Sequence, residues 1–388
     1  MKVLQVVHDL RLGGAERIAV TLCRGLVERG AQVTLLAVKG SGPQAEDLPQ
    51  GDGFTMEILG VKRRPSWMLP LFLWDFARLL RGVMCALRRH RPNVVQTHIP
   101  EDDLVLGLAM ALTGIGVHVP LVHSMHFYPD RKGRGLRTRL RTRAYRWMAR
   151  RAEKVFTVSE PVAAEFSERV GVPRSQVEVL STGVDLSRFE NPPSRKMARE
   201  ALSLPADRPV VLALGRVVRA KNYPGLVKSS RIVLEKFPDT LFVLVGDGDQ
   251  MEAVKRAISS TGVEESWVLL GSRGDVPRLL AAADLFVQSS DWEGLPVAVL
   301  EAMACRLPVV ATAAGGTAEI IKDRETGRLV GVGDAAALAG ALSDLLADPQ
   351  AATKLGEAGF DLVRSQYNQD AFLDREMSLL QACSGIQG

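Results

Sequence analysis

Short runs of β-branched residues alternate with stretches of helical periodicity along nearly the whole of this 388-residue chain. That alternation restricts the fold more than any other feature, because strands separated by helices assemble into parallel sheets of the α/β class. In the first half the strand-like runs are KVLQVV, QVTLLAV, NVVQTHI (93–99), PLVHSMH (120–126), KVFTVS (154–159) and VEVLS (177–181). Ala15, Ile18, Ala19, Leu22 and Leu26 mark one face of a helix after the first run, and Gly30 closes it. The pattern breaks in the polar, proline-bearing stretch LSRFENPPSRKMAREALSLPAD and then restarts with PVVLALG (209–215), TLFVLVG (240–246), WVLLGS (267–272), LFVQSS (285–290) and LPVVAT (307–312). A chain of this length exceeds what one core usually organises. The expectation is two Rossmann-like parallel-sheet domains facing an interdomain cleft: 1–190, a linker at 191–207, and 208–366. A last helix, 367–388, is expected to pack back on the N-terminal domain.

Composition adds location. The chain is 46% hydrophobic and 24% charged, as in water-soluble globular proteins. Its four cysteines, Cys23, Cys85, Cys305 and Cys383, have no metal-ligand spacing, which fits a reducing cytoplasm. The opening MKVLQVVHDL reads as a strand without a charged leader. The net charge of +5 is local: residues 130–154 hold eleven Lys and Arg against Asp130 and Glu153, which is +9 and leaves −4 for the rest. Such a run suits an anionic surface. Residues 66–92 are apolar, but Pro70, Asp75, Arg78 and Arg81 interrupt them. An amphipathic helix fits them better than a span, lying either on a bilayer surface or packed on its own sheet with a solvated basic face.

The chemistry gathers where strands end, as ligands do in open α/β sheets. In SSDWEGLPVAVLEAMACRLPVVAT (289–312), Glu293 and Glu301 stand eight positions apart around Pro296. Proline at the first helical position is favourable, and a helix over Val297–Ala304 would offer its N–H groups and dipole to a diphosphate. With Gly294, Leu295, Pro296 and Val297 forming the entry, one glutamate would hold a ribose and the other a sugar ring through vicinal hydroxyls. Neither His nor a further Asp joins the pair as a metal site would need. In LALGRVVRAKNYPG, Gly215 ends a strand, and Arg216 and Lys221 follow on a loop. A guanidinium fork and an ammonium suit a diphosphate leaving group. Gly13 and Gly14 let the backbone near the first helix approach a ligand, without the G-x-G-x-x-G dinucleotide pattern. His126 ends its strand and would face the cleft, and His123 falls on the opposite face. GDGD (246–249) reads as a turn.

These blocks, EGLPVAVLE with its glutamate pair, GRVVRAKNYPGL, VGDGDQ, GGAER, VFTVSEPV and STGVDLSRF, occur in the order of family 4 glycosyltransferases, which the chain resembles over nearly its whole length. One departure is Thr182, where the family's asparagine is usual. The resemblance implies the GT-B fold, retention of anomeric configuration, and a donor held mainly by the C-terminal domain. Arg216 and Lys221 would hold the donor diphosphate, Glu301 the ribose, and Glu293 the sugar hydroxyls. Gly14 would approach the phosphate and His126 the transferred sugar. The expected enzyme is a metal-independent hexosyltransferase without a cofactor, using a UDP- or GDP-linked sugar as co-substrate. Its expected acceptor is a glycan or lipid-linked molecule of bacterial envelope polysaccharide or lipopolysaccharide assembly. It would be cytoplasmic and peripheral at the inner face of the membrane. A sugar-nucleotide epimerase on the same fold and a non-catalytic scaffold are the rivals. Nucleic acid is not expected as a partner, because only Tyr145 and Trp147 accompany the arginine run.

Overall fold

A computed structural model describes residues 1–10, 14–61, 69–98, 100–123 and 136–385. The chain divides into two compact units, Met1–Thr182 with Asp370–Gly388, and Gly183–Gln369.

The first unit runs β1 (Lys2–Val7), α1 (Gly14–Glu28), β2 (Gln32–Ala37), β3 (Phe54–Ile58), α2 (Leu69–His90), β4 (Val94–Thr97), α3 (Pro100–Thr113), β5 (Val117–Val122), α4 (Leu136–Arg151), β6 (Val155–Thr157), α5 (Glu160–Phe166) and β7 (Val177–Val179). Its seven strands lie in the order β3-β2-β1-β4-β5-β6-β7 and all pair in parallel. Leu4 and Val6 of β1 and Val95 of β4 meet α2 and α3 in one apolar layer. On α1 the expected face is buried at Ile18, Ala19, Leu22 and Leu26. Gly30 takes φ 81 just past the helix, where an L side chain would be strained.

The second unit runs α6 (Arg195–Ala201), β8 (Val210–Leu214), α7 (Tyr223–Leu234), β9 (Leu241–Val245), α8 (Met251–Thr261), β10 (Trp267–Gly271), α9 (Val276–Ala282), β11 (Leu285–Gln288), α10 (Val297–Ala304), β12 (Val309–Thr312), α11 (Thr317–Ile320), β13 (Arg328–Val330), α12 (Ala335–Ala347) and α13 (Pro349–Gln366). The sheet order is β10-β9-β8-β11-β12-β13, again wholly parallel. Both faces are covered by apolar layers, so the inner strands are buried, as the near-continuous runs VVLAL and LFVLV require, while the edge strands β10 and β13 are only partly covered. The last helix, α14 (Gln369–Ser384), belongs to the first unit. Leu373 there lies so close to Gly25 of α1 that a β-carbon on Gly25 would sit 2.3 Å from its Cδ1.

Three sequence expectations change. Residues 191–207 are not a free linker. Ser194 caps α6 by accepting from Met197 N, and Ala198, Leu202 and Leu204 enter the core of the second unit. Arg199, 4% exposed, ties this segment to Ala282 O, Ala206 O and Asp284. The charged residues between those apolar positions hide their helical spacing. The strand expected over 120–126 ends at Val122, beside Thr157 of β6. Two edge strands, β3 and β13, have no expected counterpart, since short half-exposed strands carry little apolar signal.

α2 is amphipathic, with Leu71, Leu73 and Trp74 exposed and Leu79, Val83, Ala86 and Leu87 buried. Among the described residues no helix is long and apolar enough to cross a membrane.

Candidate active site

In the second unit the strand order reverses between β8 and β11. The loops after those two strands therefore leave the sheet's carboxyl edge in diverging directions and open a crevice, the general ligand position of doubly wound sheets. The loop after β8 carries Gly215, Arg216 and Lys221, and the loop after β11 carries Glu293 and Gly294. The structure joins them directly. Lys221 Nζ lies 2.7 Å from Glu293 Oε1, and Ser290 Oγ donates to the same oxygen at 2.6 Å.

The two loops are stapled as a unit. Asn222 adopts φ 46, caps α7 by accepting from Gly225 N, and donates from Nδ2 to Asp291 Oδ1 at 2.8 Å. Asp291 N donates to Ala220 O, and Ser289 Oγ donates to Lys221 O. Thr312 Oγ1, at the end of β12, donates to Ser290 O at 2.5 Å. Glycines allow the close backbone approaches this requires. Gly246 has φ 143, and a β-carbon there would lie 1.9 Å from Gly215 O. Gly315 has φ 51, and its β-carbon would lie 2.0 Å from Glu293 O. Tyr223 lies buried beneath, and burial together with the Glu293 charge raises its phenol pKa.

Arg216 is exposed and makes no side-chain hydrogen bond or ion pair among the described residues, so its guanidinium is available to an anion. α10 starts at Val297 after Pro296, whose φ −81 and ψ 90 place it at the N-cap. The expectation of proline at the first helical position is thus off by one. Pro296 O accepts from Val299 N and Leu300 N, and the N–H groups ahead of Val299 have no acceptor within the helix. Glu301, 7% exposed, lies inside α10, where Arg188 Nη1 reaches its Oε1 at 3.2 Å. Burial and the Glu301 charge push the nearby Cys305 thiol up to about 12.

The structure thus brings together Gly215, Lys221, Glu293 and Gly294, with Arg216, Leu295, Pro296 and Val297 on the same two loops. Glu301 is part of the same helix but has a different partner. Gly14 begins α1 in the first unit, and a β-carbon on it would meet nothing within 4 Å. Gly13 and His126 lie outside the described residues. Sequence reasoning missed Ser290, Asn222, Tyr223 and Arg188. Asn222 was detectable as an N-cap before a tyrosine-proline helix start. The other three show their part only through contacts.

Two family models cover this chain almost end to end: Glycosyltransferase Family 4 over residues 12–188 and Glycosyl transferases group 1 over residues 194–361. The protein belongs to the family 4 glycosyltransferases and has their two-domain GT-B fold. The chain is 28% identical over 374 residues to the lipopolysaccharide core biosynthesis glycosyltransferase LpsE of Rhizobium meliloti, covering 96% of this chain and 97% of that one. It is 37% identical over 228 residues to a GDP-mannose-dependent alpha-(1-6)-phosphatidylinositol monomannoside mannosyltransferase of Mycolicibacterium smegmatis, covering 56% and 59%. Anabaena HepE, solved in complex with UDP-glucose, shares the fold with a TM-score of 0.83 at 21% identity over 98% of this chain and 100% of that one.

Proposed function

We propose that this glycosyltransferase moves a hexose-type sugar, with retention, from a UDP- or GDP-linked donor to a glycan or lipid-linked acceptor in envelope lipopolysaccharide or glycolipid assembly. The observation that carries the donor assignment is the Lys221–Glu293 pair at the β8/β11 crossing, beside the start of α10. Arg216 and Lys221 face the diphosphate with the first N–H groups of α10. Glu293 takes hydroxyls of the sugar, and Glu301 those of the ribose. LpsE and the mannosyltransferase point to the same class of product and donor.

Negative charge grows on the leaving diphosphate as the glycosidic bond breaks. Cations and N–H dipoles held in place by the fold stabilise that charge more than they stabilise the bound donor. Glu293 holds the Lys221 ammonium by the 2.7 Å ion pair, which orients it on the diphosphate side of the crevice. Arg216 and Lys221 supply the counter-charge a metal would otherwise supply, and chelator should leave the rate unchanged. His126, in the first unit's sequence, is assigned to the transferred sugar, and Gly13 and Gly14 to the phosphate side. A thermal-shift screen with UDP-, GDP- and ADP-sugars identifies the donor. Lys221→Ala and Glu293→Ala should then each lower transfer by about a hundredfold or more with the fold intact. Wild-type rates in either variant refute the site, and NMR of the product anomer tests retention. A product formed without added acceptor would favour an epimerase.

The acceptor-side reading rests on the first unit. α4 buries Tyr145, Met148 and Ala149 and exposes Leu140 and Trp147, with Arg151 stacked over Trp147 at 4.6 Å. α2 exposes Leu71, Leu73 and Trp74. Basic residues with protruding apolar and indole groups suit an anionic bilayer surface, which would make this a peripheral protein on the cytoplasmic side. Flotation with anionic vesicles tests it, and salt-insensitive failure to float counts against it.

A further inference from the structure

The first unit contains a buried polar chain that the donor site does not use. Its sheet reverses between β1 and β4, and Gln5 of β1 stands opposite Gln96 of β4 in register. Both amides are fully buried and point to the face that carries α14. Gln5 Nε2 donates to Gln96 Oε1 at 2.8 Å, and Gln96 Nε2 donates to Glu376 Oε1 of α14 at 2.7 Å. In the other direction, His98, just past β4, has its Nε2 2.7 Å from Gln5 Oε1. His98 Nδ1 is 3.1 Å from Nε2 of His123, the residue after β5. The two rings are within 18° of parallel with centroids 5.3 Å apart. That separation is two ring radii plus the 3.1 Å contact, so the rings lie edge to edge and the bond is in their plane.

Each link has one donor and one acceptor, which orders the whole chain. Burial holds the His98 imidazole well below its ordinary range, with His123 adding to the effect, and burial lowers His123 to about 4. Both rings are therefore neutral, with one N–H each. Gln5 Oε1 can only accept, so His98 carries its proton on Nε2. His98 Nδ1 must then accept, so His123 donates from Nε2. The His123 Nδ1 is left with a lone pair.

We infer that Glu376 anchors a relay through Gln96, Gln5 and His98 that fixes His123 in its Nε2–H tautomer and presents Nδ1 as a hydrogen-bond acceptor at the switch point of the first unit, for a hydroxyl of a sugar substrate. Half-buried His123 is the site residue, and the other four are positioning residues. A buried polar chain of five side chains is costly unless fully ordered. Glu376 Oε1 accepts the last amide hydrogen bond of this chain, while Glu376 Oε2 is buried without a partner among the described residues. The substrate part rests on the transferase reading. The tautomer part does not.

The test uses the full chain labelled with 15N-histidine, whose six imidazoles are assigned by single His→Gln variants. Long-range 1H–15N spectra should show His98 and His123 protonated on Nε2 and bare on Nδ1. Gln96→Leu and Glu376→Leu should convert His123 to a tautomer mixture, and Glu376→Gln, which keeps an acceptor oxygen, should restore the wild-type pattern. In nucleotide-sugar turnover the two Leu variants should lose about tenfold in kcat, the scale seen when a histidine's orienting partner is removed, with donor KM unchanged and with rescue by Glu376→Gln. A proton on His123 Nδ1 in the wild type, or a pattern unmoved in Gln96→Leu, overturns the relay, and the wild-type spectrum decides even if a Leu variant fails to fold. A correct tautomer in a protein that turns over no nucleotide-sugar overturns the transferase reading and the substrate role of His123 together, leaving only the relay.

Discussion

Replacing Glu376 by Gln should change how the stability of the first unit depends on pH. The carboxyl is fully buried, and burial raises its pKa to about 8, with the Gln96 amide opposing that effect. In the unfolded chain the same group titrates near its ordinary value of 4.5. Between those values the folded state holds a proton that the unfolded state has released, so stability must fall as pH rises through the window and level off above it. From about pH 5.5 to about pH 8.5 the linkage amounts to about 3 kcal/mol. An amide at this position keeps the acceptor for Gln96 and has no proton to lose. The assay is urea unfolding of the full chain at both pH values, wild type against Glu376→Gln, following a probe in the first unit. Taking the difference between the two proteins removes every other titrating group. The expectation is near-equal stability at the lower pH and a variant about 3 kcal/mol more stable than wild type at the higher one. Parallel pH profiles would show that Glu376 is ionised in the fold at neutral pH, and the reasoning would fail.

Three further outcomes follow from the second unit. Arg188→Ala leaves the Glu301 carboxylate without its 3.2 Å partner. Donor KM should rise about tenfold with kcat nearly unchanged, the loss expected for one hydrogen bond to a charged group, and steady-state kinetics at varied donor checks it. Gly315→Ala puts a β-carbon into Glu293 O. It should displace the Glu293 loop and cut transfer by about a hundredfold, as small misplacements of catalytic groups do, while circular dichroism stays native. Arg199→Met leaves the carbonyls of Ala282 and Ala206 without their guanidinium donor, while Asp284 keeps Arg195 and Val210 N. It should destabilise the second unit by about 2 kcal/mol, the scale for carbonyls left without a donor, visible as an earlier urea transition, and an unshifted midpoint would show that α6 is held by its apolar contacts alone.

The alternation of strand and helix could be read along the chain because each element is announced by its own few residues: VVLAL and LFVLV as buried parallel strands, the α1 face at Ile18, Ala19, Leu22 and Leu26, Gly30 as its end. That Lys221 and Glu293 share one edge of the sheet was legible for a related reason. Parallel strands all deliver their following loops to one edge, which puts Lys221 and Glu293 on the same side of the sheet; the sheet order, with β8 beside β11, then brings them to 2.7 Å. Other features depend on register and packing between distant segments, about which local pattern is silent. Gln96 and Glu376 are 280 residues apart, and Arg188 and Glu301 are 113 apart. Nothing near Gln5 announces that it will face Gln96, nor near His98 that its ring will meet His123. Residues 191–207 look like a connector because charged side chains outnumber the apolar ones that hold α6 in the core. Such contacts form only once the sheet order, the strand register and the seat of α14 are set, because a hydrogen bond fails when its partners shift by an ångström, whereas an apolar stripe tolerates it.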